Sequence, residues 1–323
     1  MARVNLARKA RLLVAPRPGT REKKPSMAEL SFSGAYTALV TPFSPDGSEV
    51  DFIAFEKHLE AQLEGGVAGL VPCGTTGEVP TLTEAEQREL IVRCKRVAKG
   101  RAVVLAGTGS NNTKKSIDGA RAAVDAGADA VMVVMPYYSR PSQEGLFQHI
   151  CAIAKSVSVP VVLYNIPGRS AVELSVDSSL RVLDACPNVL GFKDATGNVL
   201  HCQELLARAK RPISILSGDD ALTVPMMSVG ATGVISVTSN VYPKEVSAMV
   251  NDALAGRFGL AGKQQVKMFA VNKAMFSEAS PAPAKAALAL KSRLNASVRL
   301  PIVEASAECR ARLSAAMAEF EAS

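Results

Sequence analysis

The sequence predicts an α/β fold, a (β/α)8 TIM barrel followed by a C-terminal helical appendage, on three observations. Eight short apolar runs alternate with amphipathic helical stretches between residues 35 and 254. Each run is continuously hydrophobic rather than alternating, as in strands buried on both faces of a parallel sheet. Past Gly256 the strand-like runs stop and helical periodicity alone continues. A doubly wound open sheet is the weaker alternative. Its dinucleotide-binding form is disfavoured because Gly107-Thr108-Gly109 lacks the third glycine of the phosphate-binding turn.

The first strand is expected over residues 35–42, and the helix over 51–63 with Asp51 as its N-cap. A short strand over 69–72 leads into Gly74-Thr75-Thr76-Gly77-Glu78. The next helix opens at Thr83 with Glu86 three residues on, a capping box. Strand and helix then alternate over 102–108 and 113–126, 130–136 and 143–157, and 160–166 and 175–184. The sixth strand delivers Lys193 to its end and is followed by a helix over 198–208. The last two pairs are 213–217 with 221–229, and 232–238 with 244–254. Gly65-Gly66, Gly127 and Gly230 stand where helices should end. Three further helices are expected over 260–277, 283–290 and 305–320, with Arg299-Leu300-Pro301 breaking the last two apart. The organisation expected is a basic extension over 1–30, the barrel over 31–255 and a helical domain over 256–323.

Composition narrows the function classes. The net charge of +7 resides entirely in residues 1–26, where eight basic groups face Glu22 alone; 29 acidic and 29 basic groups remain elsewhere. The folded part therefore has no general attraction for nucleic acid. Tryptophan is absent and aromatics make up 5%, which argues against a base-stacking platform. The basic segment has three readings: an amphipathic targeting helix over residues 1–15, a disordered basic arm, or an upstream extension with Met27 as the functional start, which we favour. No apolar run is long enough to span a bilayer. Six scattered cysteines lack metal-type spacing and a secretory segment is missing, so reduced thiols and a cytoplasmic location are expected. His58, His149 and His201 each sit inside a helical pattern and suggest structural roles rather than metal ligation.

In such a barrel the site lies at the C-terminal ends of the strands. Those ends offer Thr41, Thr75, Thr76, Tyr137, Tyr138, Tyr164, Arg169, Lys193, Ser217-Gly218-Asp219-Asp220 and the hydroxyls of 236–239. Hydroxyls, one amine and one guanidinium converge. Metal-binding carboxylate pairs are missing except at Asp219-Asp220, where Asp220 also suits a helix N-cap. A lysine among tyrosines and threonines suits Schiff-base formation with a ketone or 2-oxo acid. At its reference pKa only about one lysine in 2,500 is neutral at pH 7. Lowering that value to about 7 opposes roughly 4–5 kcal/mol of ammonium stabilisation, which burial can supply. A tyrosine hydroxyl can move the protons of carbinolamine collapse, relayed by a threonine and a second tyrosine. Arg169 would hold a carboxylate bidentately, so the substrate should be an acid. The Thr75-Thr76 turn offers donors for another carboxylate.

Five motifs in this order on one rim carry a family resemblance. They are Gly74-Thr75-Thr76-Gly77-Glu78, Pro136-Tyr137-Tyr138, Tyr164-Asn165-Ile166-Pro167-Gly168-Arg169, Gly191-Phe192-Lys193-Asp194-Ala195-Thr196 and Ser217-Gly218-Asp219-Asp220. From about Gly34 to the C-terminus the chain resembles the dihydrodipicolinate synthase family of pyruvate-dependent class I aldolases. The resemblance implies condensation of pyruvate with aspartate semialdehyde in diaminopimelate and lysine synthesis, with no cofactor beyond the covalent Schiff base. By it Lys193 forms that Schiff base, Tyr164 donates and accepts the proton, and Thr75 and Tyr138 complete a relay. Tyr138 would reach the neighbouring subunit's site, within a homotetramer. Thr76, Ile235 and Gly218 would line the pyruvate site and Arg169 would hold the semialdehyde carboxylate. Of the family's allosteric lysine site Asn111 and Tyr137 remain. Glu84 and Gln87 replace a histidine pair, and Lys115 replaces a glutamate, so weak or absent lysine feedback is expected. Ser139 and Ser170-Ala171 also depart from the pattern without removing a catalytic group.

Two other readings stay open. N-acetylneuraminate lyases and 2-keto-3-deoxygluconate-type aldolases share the lysine and tyrosine, and Thr75 together with Arg169 argues against them. A retired barrel whose basic arm binds polyanions is the alternative of a different class.

Overall fold

In the computed structural model, which describes residues 31–323, each of the eight apolar runs contains a strand. The strands are β1 (Gly34–Ala38), β2 (Gly69–Val71), β3 (Val103–Gly107), β4 (Ala130–Val134), β5 (Val161–Asn165), β6 (Val189–Asp194), β7 (Ser214–Ser217) and β8 (Gly233–Ser236). They pair in parallel and in chain order, and β1 closes on β8. The expectations for residues 1–30 lie outside the described residues. Several strands end before the apolar runs do; β2 stops at Val71 because the Pro72 that follows cannot donate to a ladder. The residues left over form the loops of the mouth.

The helices around the barrel are α1 (Phe52–Glu64), α2 (Glu84–Ala98), α3 (Thr113–Asp125), α4 (Gln143–Ala154), the single turn α5 (Pro167–Ser170), α6 (Val176–Ala185), α7 (Val199–Arg208), α8 (Thr223–Ser228) and α9 (Pro243–Leu254). Asp51 caps α1 through the Ala54 amide at 2.9 Å, and Thr83 with Glu86 forms the expected capping box. The turn α5 was not anticipated. After the barrel come α10 (Phe258–Lys267), α11 (Phe269–Ala274), α12 (Ala282–Leu290) and α13 (Ala307–Ala322). The single helix expected over 260–277 is broken at Met268, and the segment expected to begin at Ala221 opens as a 3-10 turn over Asp220–Leu222. No helix of the described residues is long and apolar enough to cross a membrane.

Alternation along the strands separates two cores. Val161 and Leu163 face the helices, while Val162 and Tyr164 face the barrel interior with Tyr36, Leu105, Met132, Leu190, Leu216 and Ile235. Phe32 closes the lower end: its amide donates to Ser214 Oγ at 2.8 Å and its ring meets Tyr36 edge-on at 6.3 Å. Gly69 is required beside it, since a Cβ there would lie 2.0 Å from the Tyr36 ring.

The pairing of β5 with β6 contains the irregularity that matters most. Val161 pairs with Val189 but Val162 pairs with Gly191, so Leu190 is an extra residue in β6. Leu190 points inward and Phe192 outward. The bulge thereby lets Lys193, three residues after Leu190, return to the interior.

Candidate active site

Lys193 and Tyr164 are neighbours across β5 and β6, each 5% exposed, and the Lys193 Nζ lies 4.2 Å from the centroid of the Tyr164 ring. Burial pulls the Lys193 amine down to about 8, opposed by the charge of Asp220 and assisted by that of Arg169. That is less than the shift to about 7 considered from the sequence. About a tenth of the amine is then neutral at pH 7. Burial pushes the Tyr164 hydroxyl up to about 12, with Arg169 and the Thr75 hydroxyl acting in the opposite direction. A protonated phenol that can both donate and accept is the result.

The strand continues into a well-tied turn. Asp194 accepts from the Thr196 amide at 2.9 Å and pairs with His201 Nδ1 at 2.8 Å. His58 is bonded to Asn240 and His149 to Thr113. All three histidines thus have structural partners, and among the described residues no group of His, Cys, Asp or Glu is placed to hold a metal ion.

A cavity of about 230 Å³ opens at the strand ends, lined among others by Gly74, Thr75, Tyr137, Tyr164, Ile166 and Arg169. Thr75 and Thr76 sit in the turn after β2, held by Gly77 and Glu78 amides donating to the Gly74 and Thr75 carbonyls at 3.1 Å. Thr76 is buried, whereas Arg169, on α5, is exposed at the entrance. Ile235 lies fully buried on β8, in the interior cluster that holds Tyr164. Gly218 donates to the Asp194 carbonyl at 2.7 Å, and a Cβ there would come within 2.7 Å of Ala195. Packing against the Lys193 strand is thus one reason for its being glycine.

The two aspartates divide their work otherwise than the sequence suggested. Asp219, not Asp220, is the N-cap, accepting from the Ala221 amide at 2.8 Å. Asp220 turns inward, accepts from the Ser236 hydroxyl and from the Val237 amide at 2.9 Å, and so anchors the end of β8. Burial raises its carboxyl while those donors hold it down.

Tyr138 is not brought to this cavity. It is 89% exposed at φ 74, while the neighbouring Tyr137 lines the cavity wall. Asn111, Glu84 and Lys115 are exposed, and the Gln87 side chain donates to the Leu82 carbonyl at 3.0 Å. Sequence reasoning named Glu78 and Arg299 but missed that they meet Lys285 beneath the turn. The only signal for that meeting was a lone lysine in the apolar run of α12.

A buried amine of lowered pKa beside a phenol and a threonine hydroxyl, at the C-terminal mouth of a (β/α)8 barrel, defines a lyase of the class I aldolase type. The chain belongs to the dihydrodipicolinate synthetase family, whose model matches residues 31–320. It is 54% identical over 296 residues to the 4-hydroxy-tetrahydrodipicolinate synthase of Sorangium cellulosum (strain So ce56), covering 92% of this chain and 98% of that protein. Among solved structures it is similar to dihydrodipicolinate synthase from Aquifex aeolicus, with a TM-score of 0.87 and 39% identity over 90% of this chain and 98% of that one. The lysine-bound enzyme from Cyanidioschyzon merolae gives a TM-score of 0.86 at 36% identity over 90% and 98% of the two chains.

Proposed function

We propose that this chain condenses pyruvate with L-aspartate 4-semialdehyde to 4-hydroxy-tetrahydrodipicolinate, the activity for which its Sorangium relative is named. The observation that carries the chemistry is the Lys193 amine, buried, lowered to about 8 and facing Tyr164. Neutral Lys193 adds to the pyruvate ketone, and the carbinolamine loses water to give an imine. A methyl proton leaves to form the enamine, whose carbon attacks the aldehyde. Tyr164 supplies and recovers protons through Thr75 and Tyr138. Thr76, Ile235 and Gly218 hold pyruvate, and Arg169 holds the semialdehyde carboxylate. Ring closure by the semialdehyde's amino group displaces Lys193 and releases the product. The imine itself is the electron sink, so no separate cofactor enters these steps.

The exposure of Tyr138 supports a relay completed between subunits, and we place the enzyme in a cytoplasmic homotetramer acting in diaminopimelate and lysine synthesis. Lysine feedback is weak or absent, because the cation at Lys115 repels a lysine ligand.

Borohydride reduction in the presence of pyruvate should fix a pyruvyl group on Lys193, located by peptide mass, and Lys193→Ala should abolish it. Turnover should require aspartate semialdehyde and be insensitive to submillimolar lysine. Cleavage of sialic acid or ketodeoxygluconate in place of condensation would transfer the chain to a neighbouring aldolase activity. A parent chain without an adduct would refute the mechanism.

A further inference from the structure

The turn bearing Thr75 and Thr76 is anchored from outside the barrel. Glu78 follows it directly, at φ 55, and its amide donates to the Thr75 carbonyl at 3.1 Å. Its carboxylate runs away from the cavity into a site where it and Lys285 of α12 each keep 1% side-chain exposure, with Nζ and Oε1 at 2.6 Å. The other carboxylate oxygen accepts from the Arg299 amide at 2.9 Å. Lys285 also donates to the Ser297 carbonyl at 2.7 Å and stands 4.0 Å from the Phe43 ring centroid. The Arg299 guanidinium lies 4.4 Å from the same centroid and binds Glu86 at 2.7 Å. The post-barrel segment thus reaches the turn through one buried carboxylate.

Stability alone does not call for such a pair. An apolar replacement of both members is often neutral, whereas a buried ion pair fixes direction and register. What is fixed here is the backbone that presents Thr75 and Thr76.

We infer that Glu78 and Lys285 are positioning residues for the reaction, through which the C-terminal helices set the height of the Thr75-Thr76 turn above the pyruvate site. The inference rests on the proposed roles of Thr75 and Thr76. It makes α12 a working part of the site although none of its residues lines the cavity.

Two variants of the full chain test it: Lys285→Met, and Lys285→Met with Glu78→Gln, in which no charge is left buried without a partner. Rates are divided by the amount of Lys193 that pyruvate and borohydride can trap, so loss of folded protein does not count as loss of rate. We expect the double variant to lose roughly tenfold in kcat and to gain a similar factor in the KM for pyruvate. The KM for the semialdehyde should stay within about twofold, because Arg169 is held by α5 and not by this turn. If Lys285→Met alone fails to fold, the double variant decides. Unchanged kcat and pyruvate KM per trapped lysine, or both KM values rising together, would overturn the inference. Absence of any adduct in the parent chain would instead remove the Schiff-base reading, and this inference with it.

Discussion

At Lys193 two opposed influences set how much free amine is present near neutrality. Burial pulls it to about 8, and the Asp220 carboxylate resists. An unfolded lysine keeps its proton to 10.5, so the folded chain releases it first. The burial penalty, about 3 kcal/mol, is therefore full below pH 8 and fades as pH rises towards 10.5. On the proposed mechanism activity follows the neutral fraction, and kcat/KM for pyruvate should climb with pH to about 8 and then level. Asp220→Asn removes the charge that favours the ammonium, and should move this limb towards acid. A limb that stays in place, or moves to higher pH, would show that Asp220 has no such hold on the amine. Lys193, Tyr164 and Arg169 were legible in the sequence because each stands at, or just past, the end of an apolar run. Asp219 and Asp220 were not, since adjacent identical residues point to opposite sides of the chain and only the fold says which one caps.

Among the elements, β6 is the strand that carries the bulge. Its extra residue sends Lys193 inward, and the strand then has to pass close to β7. A Cβ on Gly191 would meet the Ser214 carbonyl oxygen at 3.1 Å and the Phe32 ring at 3.3 Å. Gly191→Ala should accordingly destabilise the chain by about 1–3 kcal/mol through overpacking, seen as a lower Tm. It should also slow borohydride trapping at Lys193. Normal trapping with a normal Tm would mean that the bulge tolerates a side chain. The strands and most caps could be read beforehand because hydrophobic continuity and capping residues are local signals. The bulge could not, as it exists only relative to β5. Nor could the break at Met268, where neither glycine nor proline marks the end of α10.

At the scale of the whole molecule, the barrel and the helices behind it meet through contacts that join distant parts of the chain. The Arg299 amide and Glu78 are 221 residues apart. The sequence showed the helices but not what they touch, because a lone lysine in an apolar helix does not name its partner. Tyr138 extends the argument beyond one chain. A non-glycine residue in the left-handed region carries about 1–3 kcal/mol of conformational strain, and at φ 74 its ring is 89% exposed. An isolated chain holds that conformation without using the ring, whereas the homotetramer proposed above would set the strain against a buried aromatic contact. Turnover per chain should then obey mass action, falling when the protein is diluted far enough and returning when it is concentrated again. Sedimentation at the same concentrations should track the loss. A chain whose turnover ignores dilution while it dissociates would complete its proton relay alone.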